Sequence, residues 1–142
     1  MLPNRDVLVS EAMNSSRAPR NFFDYAMVAT MQRAGAWGKS PNLITLLRDT
    51  DGDGVAEIQQ TFMDGLNMPF GMELVGDTFY VGATDGIMAF PYVPGAARIT
   101  GPGRRLTTFK PGGHWTRSLL VSPDGRKLYA GVGSAKIGRA HV

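Results

Sequence analysis

The densest group of carboxylates in this sequence lies in the run Asp-Thr-Asp-Gly-Asp-Gly-Val-Ala-Glu, which supplies Asp49, Asp51, Asp53 and Glu57. Oxygen ligands at alternate positions around a glycine turn can converge on a hard cation such as Ca²⁺. A helix–loop–helix calcium motif would need a bidentate glutamate where Gln60 stands, and both flanks alternate in hydropathy as strands do. The pattern therefore predicts either a calcium loop between two strands or an Asp-Gly hairpin that binds nothing.

A second group of reactive side chains lies in the run Gly-Gly-His-Trp-Thr-Arg, from Gly112 to Arg117. The two glycines allow a ligand to approach the backbone closely, His114 can exchange a proton near neutral pH, and an arginine can bind an anion. A histidine beside a tryptophan is also a common structural arrangement. The spacing alone therefore leaves His114 as either a proton-transferring residue or a packed side chain.

Short strands separated by Asp-Gly and Pro-Gly turns must position these groups. After residue 41 the predicted strands are 42–48, 57–62, 71–75, 77–83, 86–92, 105–109, 117–122 and 127–132. Similar strand-like runs surround Val9, Val81 and Ala130, and the last two are about one four-stranded propeller blade apart. The sequence therefore predicts an all-β fold, and specifically part of a β-propeller with two to three blades.

The interval between the first two similar runs is too long for one blade, which predicts an insertion in residues 14–41. Asn21 is a suitable N-cap for a short helix near residues 21–35. One apolar stripe of this helix would consist of Phe23, Met27 and Met31. We expect that stripe to pack against the sheets.

Composition excludes several classes of function. Lys and Arg number 15 against 12 Asp and Glu, and the net charge of +3 is too small and too scattered for a nucleic-acid-binding surface. The absence of cysteine excludes disulfides, cysteine-ligated zinc and a thiol nucleophile. No apolar run reaches the roughly 20 residues of a membrane-spanning helix. We therefore predict neither a nucleic-acid partner nor a membrane span.

Both ends of the sequence look truncated. Residues 137–142, Ile-Gly-Arg-Ala-His-Val, match the translation of a common sequencing adapter, so we expect them to be a technical scar outside a domain formed by 1–136. The alternative is a natural basic tail. The first predicted strand begins without a leader, and we therefore expect the chain to be a fragment that lacks its true N-terminus and export signal.

Five sequence motifs, taken together, indicate a resemblance to a known family. They are NLITLLRDTDGDGVAE at 42–57, DGLNMPFG at 64–71, AFPY at 89–92, GHWTRSL at 113–119 and SPDGRKLYAGVGS at 122–134. Together they resemble the sorbosone dehydrogenase family, which is related to the soluble quinoprotein glucose dehydrogenases. The resemblance covers most of residues 1–135 and implies a six-bladed propeller, of which this chain would be the N-terminal part.

The resemblance also implies roles for individual residues. His114 corresponds to a general base that accepts the hydroxyl proton of a sugar, while hydride passes to pyrroloquinoline quinone (PQQ) polarised by calcium. Asn67 and Arg117 are the candidate cofactor contacts, although the glucose-oxidising relatives use a glutamine and Met68 stands close to that position. Ligands for the catalytic calcium would come from later blades, so a calcium at Asp49, Asp51, Asp53 and Glu57 would be structural.

The function implied is that of a quinoprotein dehydrogenase acting on an aldose or a sorbosone-like aldehyde sugar. Its partners would be the sugar and an electron-acceptor protein such as a cytochrome, and its location periplasmic or secreted. The fragment alone should be inactive, because no single blade closes the cofactor site. One alternative is a non-enzymatic, calcium-stabilised propeller that binds a partner or glycan. Another is a sugar-lactone hydrolase, which would need a carboxylate-bound metal in the central channel.

Overall fold

Short strands make up most of the computed structural model, which describes residues 1–12, 19–35, 40–110 and 114–133. The strands are β1 (Val7–Glu11), β2 (Leu43–Arg48), β3 (Ile58–Met63), β4 (Gly71–Val75), β5 (Thr78–Ala83), β6 (Gly86–Pro91), β7 (Arg104–Thr108), β8 (Arg117–Val121) and β9 (Leu128–Val132). From β2 onward, each strand begins and ends within one residue of its predicted bounds. The predicted all-β class is confirmed.

The strands form three antiparallel sheets. The first sheet has the order β1-β2-β3, the second is the meander β4-β5-β6-β7, and the third is the pair β8-β9. Within each sheet, strands that are consecutive in sequence pair with each other, although the connection from β1 to β2 contains the helix described below. In the turn between β4 and β5, Gly76 has a φ of +59°, a left-handed conformation that glycine adopts without steric cost.

The main core lies between the first and second sheets. Phe62 of β3 and Phe79 of β5 meet edge to face, with ring centroids 5.4 Å apart. Both rings are almost fully buried, as are Ile44, Leu46 and Val81 around them. Burial of each such side chain contributes about 1.5–3 kcal/mol, so these apolar contacts stabilise the packing of the two sheets.

The third sheet lies against β4 and β5, where two glycines face each other. Gly71 and Gly82 are register partners. A Cβ on Gly71 would lie 2.6 Å from the amide nitrogen of Leu119, and one on Gly82 would lie 2.5 Å from the carbonyl oxygen of Arg117. The absence of side chains there allows the backbone of β8 to lie directly on the second sheet, which places Arg117 at this junction.

The predicted helix is present as α1 (Phe22–Arg33). Its Asn21 N-cap accepts a hydrogen bond from the backbone N–H of Asp24 at 2.8 Å, and Gly35 follows its end with a φ of +69°. Within the described ranges of the chain, no helix has the length and apolarity needed to cross a bilayer.

The predicted packing of α1 is wrong. In the part of the chain that the structure describes, the helix has no buried residue, and Phe23 is 82% exposed. Met27 and Met31 are exposed as well. The stripe was a poor guide because Phe22 and Tyr25 make other sides of the helix apolar too, so the spacing does not define a single face.

Some predictions concern positions outside the described residues. These are the suspected scar at 137–142, its alternative as a basic tail, and the glycines at 112 and 113. The start of the predicted insertion, residues 14–18, also lies outside.

Candidate functional site

The acidic loop, residues 49–57, connects β2 to β3. Asp49, Asp51, Asp53 and Glu57 are exposed, and each offers a carboxylate oxygen within 4.8 Å of the others. None of the ion pairs among the described residues involves these four carboxylates. The loop borders a cleft of about 610 Å³ that gives a cation free access.

Backbone amides hold the first carboxylate of the acidic loop. Asp49 accepts hydrogen bonds from the N–H of Gly54 at 2.8 Å and from the N–H of Gly52 at 2.6 Å. Both glycines have positive φ, +91° and +83° respectively, so the turn requires residues without a Cβ. The hydrogen bonds from Gly54 and then Gly52 lower the pKa of Asp49, which keeps it ionised.

The last carboxylate closes the acidic loop. Glu57 accepts hydrogen bonds from the backbone N–H of Thr50 at 2.7 Å and from its hydroxyl at 2.8 Å. These two bonds lower the pKa of Glu57. The donor set therefore consists of four carboxylates in a turn held by its own hydrogen bonds, and its chemistry suits a hard divalent cation such as Ca²⁺.

The His114 segment, residues 114–117, leads into β8. The His114 side chain is exposed. Its Cβ lies 2.6 Å from where a Cβ on Gly133 would be, and its Cγ 3.0 Å. Glycine at position 133 therefore leaves the space that the imidazole occupies at this surface.

Arg117 lies beneath the His114 segment and is 2% exposed. Its Nη1 donates to the carbonyl oxygen of His114 at 2.6 Å and to that of Thr116 at 2.9 Å. The guanidinium carbon is 5.2 Å from the centre of the Phe109 ring. Its Nε is buried and has no hydrogen-bond partner among the described residues. The role predicted for Arg117, binding an anion, stays a prediction, since its Nη1 donates to the protein's own carbonyls.

The structure brings the Asn67 turn and the His114 segment to one end of the second sheet. Asn67 is exposed, and its carbonyl oxygen accepts a hydrogen bond from the N–H of Thr84 at 3.0 Å. The Thr84 hydroxyl donates to the carbonyl oxygen of Trp115 at 3.1 Å. The Trp115 ring meets Phe70 edge to face at 5.8 Å. A single threonine thus links the two predicted cofactor-site segments.

Two residues at this end were missed by sequence analysis. Asp85 and Arg105 line a cleft of about 240 Å³ together with Asn67. The Arg105 Nη2 is 3.1 Å from the Asp85 Oδ2. Asp85 follows β5 and Arg105 belongs to β7, so only the register of the meander brings them together. The Asp-Gly turn after β5 was the one available signal, and it indicated a turn rather than a site.

The acidic loop is separate from the His114 segment. The loop precedes β3, whereas the Asn67 turn follows it. The six residues of β3 span about 20 Å at about 3.3 Å per residue. A cation in the acidic loop would therefore be too far from the Asn67 turn to take part in chemistry there.

Comparisons with protein-family models, with curated proteins and with solved structures found no match to this chain. The resemblance to sorbosone dehydrogenases stays a prediction from the sequence motifs.

Proposed function

We propose that the chain is part of a quinoprotein sugar dehydrogenase, with a partial six-bladed propeller fold, and that His114 is its general base. The observation that supports this most directly is the exposed imidazole of His114, on a backbone that is held by a buried arginine and linked to the Asn67 turn through Thr84. Histidine is the side chain that most often accepts a proton in general acid–base catalysis.

The residues at this end of the second sheet fit part of what an anionic quinone needs. Asn67 offers an exposed amide that can donate to the cofactor, and His114 can accept the hydroxyl proton of a sugar. PQQ, when bound, would supply the acceptor for the substrate's hydride. Under this proposal the chain is part of a longer polypeptide, here called the parent protein. Other parts of the parent protein would supply the basic residues that bind the carboxylates of PQQ.

The test is a cofactor titration of the parent protein. PQQ and calcium are added to the apo form, and dye reduction by aldoses is measured. We expect saturable, calcium-dependent turnover, and a loss of about 10²- to 10⁴-fold in His114→Ala, because a general base contributes about that much. Leu120→Ala, an exposed change within β8, is the matched control and should retain turnover.

Two results would contradict this proposal. Absence of turnover in the unaltered parent protein with both cofactors would overturn the dehydrogenase assignment. Full turnover in His114→Ala would overturn only the assignment of His114 as the general base. An extracytoplasmic location and a cytochrome-like electron acceptor belong to the same proposal and depend on the first result.

A second candidate function is a non-enzymatic, calcium-stabilised binding module. The acidic loop favours it, because four exposed carboxylates lie within 4.8 Å of one another and none of them forms an ion pair among the described residues. Calcium should raise the thermal midpoint of the chain, since a ligand that binds only the folded state stabilises it. Asp53→Asn should reduce this increase, and Glu73→Gln on β4 is the control. An unchanged midpoint at millimolar calcium would exclude this candidate.

A further inference from the structure

Arg117 is one of the few charged side chains that are buried in the described part of the molecule. The Arg117 side chain is 2% exposed and carries a charge, yet it forms no ion pair with any of the described residues. Its hydrogen bonds go instead to two carbonyl oxygens of the His114 segment. A buried charge is weak evidence for stability, because an apolar side chain of similar size often stabilises as well or better. The contacts of Arg117 therefore point to a role other than stability.

Those contacts converge on the backbone that directly follows the His114 side chain. Arg117 holds the carbonyl of His114, and Thr84 holds the carbonyl of Trp115. On the far side, Gly133 leaves just enough room for the imidazole, whose Cβ and Cγ would be 2.6 and 3.0 Å from any Cβ there. The carbonyl of His114 is thus held by a hydrogen bond, and its imidazole lies directly against Gly133, just after β9.

The guanidinium also connects this segment to the second sheet. It lies over the ring of Phe109, whose backbone N–H donates to the carbonyl oxygen of Asp85 at 2.9 Å. A planar guanidinium can stack on an aromatic face while it donates in its own plane, which the ammonium of a lysine cannot do. Arg117 can therefore hold the His114 carbonyl and remain anchored on Phe109 at the same time.

We propose that Arg117 is a positioning residue, which fixes the orientation of the His114 imidazole through the His114 carbonyl, with Phe109 as its anchor and Gly133 as the surface beneath the ring. This inference rests on the proposed role of His114 as a base, because it explains how that base would be held ready before a substrate binds. It assigns Arg117 no contact with substrate or cofactor.

The experiment uses nuclear magnetic resonance on the complete chain, which has only two histidines. Nuclear Overhauser effects between the His114 ring and the Hα protons of Gly133 report the orientation directly. We expect them to be strong in the unaltered chain, lost in Arg117→Met, and partly restored in Arg117→Lys. Phe62→Leu, a core change away from this segment, should lower the thermal midpoint without losing them.

The inference is overturned if Arg117→Met retains these effects while it folds. If Arg117→Met does not fold, Phe109→Leu decides, because it removes the anchor but keeps the guanidinium. Retained effects in Phe109→Leu then overturn the inference, and weakened effects support it. An inactive parent protein with the expected resonance pattern would overturn the proposed dehydrogenase but not the positioning of the ring.

Discussion

The acidic loop and the His114 segment are built in opposite ways. Every hydrogen bond shown for the four carboxylates of the acidic loop joins residues of the loop itself, within the nine residues from Asp49 to Glu57. The His114 segment depends in addition on residues farther along the chain, namely Thr84 and Gly133. One region is therefore local and the other is assembled by the fold. The fold-dependent region should be the more sensitive to changes elsewhere in the sheets.

Among the substitutions considered, Gly82→Ala should lower the free energy of unfolding most, because it acts on the region that the fold assembles. The added Cβ would lie 2.5 Å from the Arg117 carbonyl oxygen, which is backbone and cannot move independently of β8. We expect a loss of about 3 kcal/mol in the free energy of unfolding, the upper part of the usual range for overpacking. Chemical denaturation measures this loss, and the calcium-dependent rise in the thermal midpoint proposed for the acidic loop should be unchanged.

The control for Gly82→Ala is Gly101→Ala, where an added Cβ would meet nothing within 4 Å. A Gly82→Ala chain as stable as the control would show that the third sheet does not lie on β5 as described.

The next largest effect should come from Asp6→Asn, which tests a long-range pair outside both regions. Asp6 is 2% exposed, and its carboxylate binds Arg48 of β2 through two hydrogen bonds of 2.6 and 2.8 Å. Hydrogen bonds to charged groups contribute about 1.5–3 kcal/mol each, so we expect Asp6→Asn to cost about 2 kcal/mol. The exposed pair Asp64–Arg98 supplies the control, because Asp64→Asn should cost well under 1 kcal/mol.

The same pair predicts a pH dependence. The hydrogen bond from Arg48 lowers the pKa of Asp6 below its ordinary value of 3.8. The folded chain therefore binds fewer protons than the unfolded chain, and this stabilisation is complete above pH 3.8. It is lost as the pH falls through the lowered pKa. The free energies of unfolding of Asp6→Asn and of the unaltered chain, measured with urea, should converge below that pH. A constant difference between the two at all pH values would contradict the prediction.

The smallest effect should be that of salt on the acidic loop. Without calcium, the four carboxylates repel one another, and added salt screens exposed charges at this distance. Raising the ionic strength of a calcium-free sample should therefore raise the thermal midpoint slightly, by less than either substitution above lowers it. Asp51→Asn should reduce that increase. An equal increase in the variant would show that the salt acts elsewhere.

The local region was predictable and the assembled one was not. Alternation of apolar residues and Asp-Gly turns predicted the bounds of β2 to β9, and the spacing of Asp49, Asp51 and Asp53 predicted their convergence. The burial of Arg117 left no trace in the sequence, because it depends on the two glycines at positions 71 and 82 lying opposite each other after β4 and β5 have paired. Periodicity predicted α1 but not its exposure, since packing depends on which surface is within reach.

Among the described residues the third sheet consists of two strands, and an isolated two-stranded hairpin is marginally stable in water. In the described chain, β8 contacts β4 and β5 across the paired glycines rather than through the large apolar side chains of the main core. This hairpin should therefore detach as a unit while the first two sheets stay folded, a subglobal opening that costs less than complete unfolding. Because His114 and Arg117 both move with it, the proposed proton-transfer site would exist only in the closed fraction of the population.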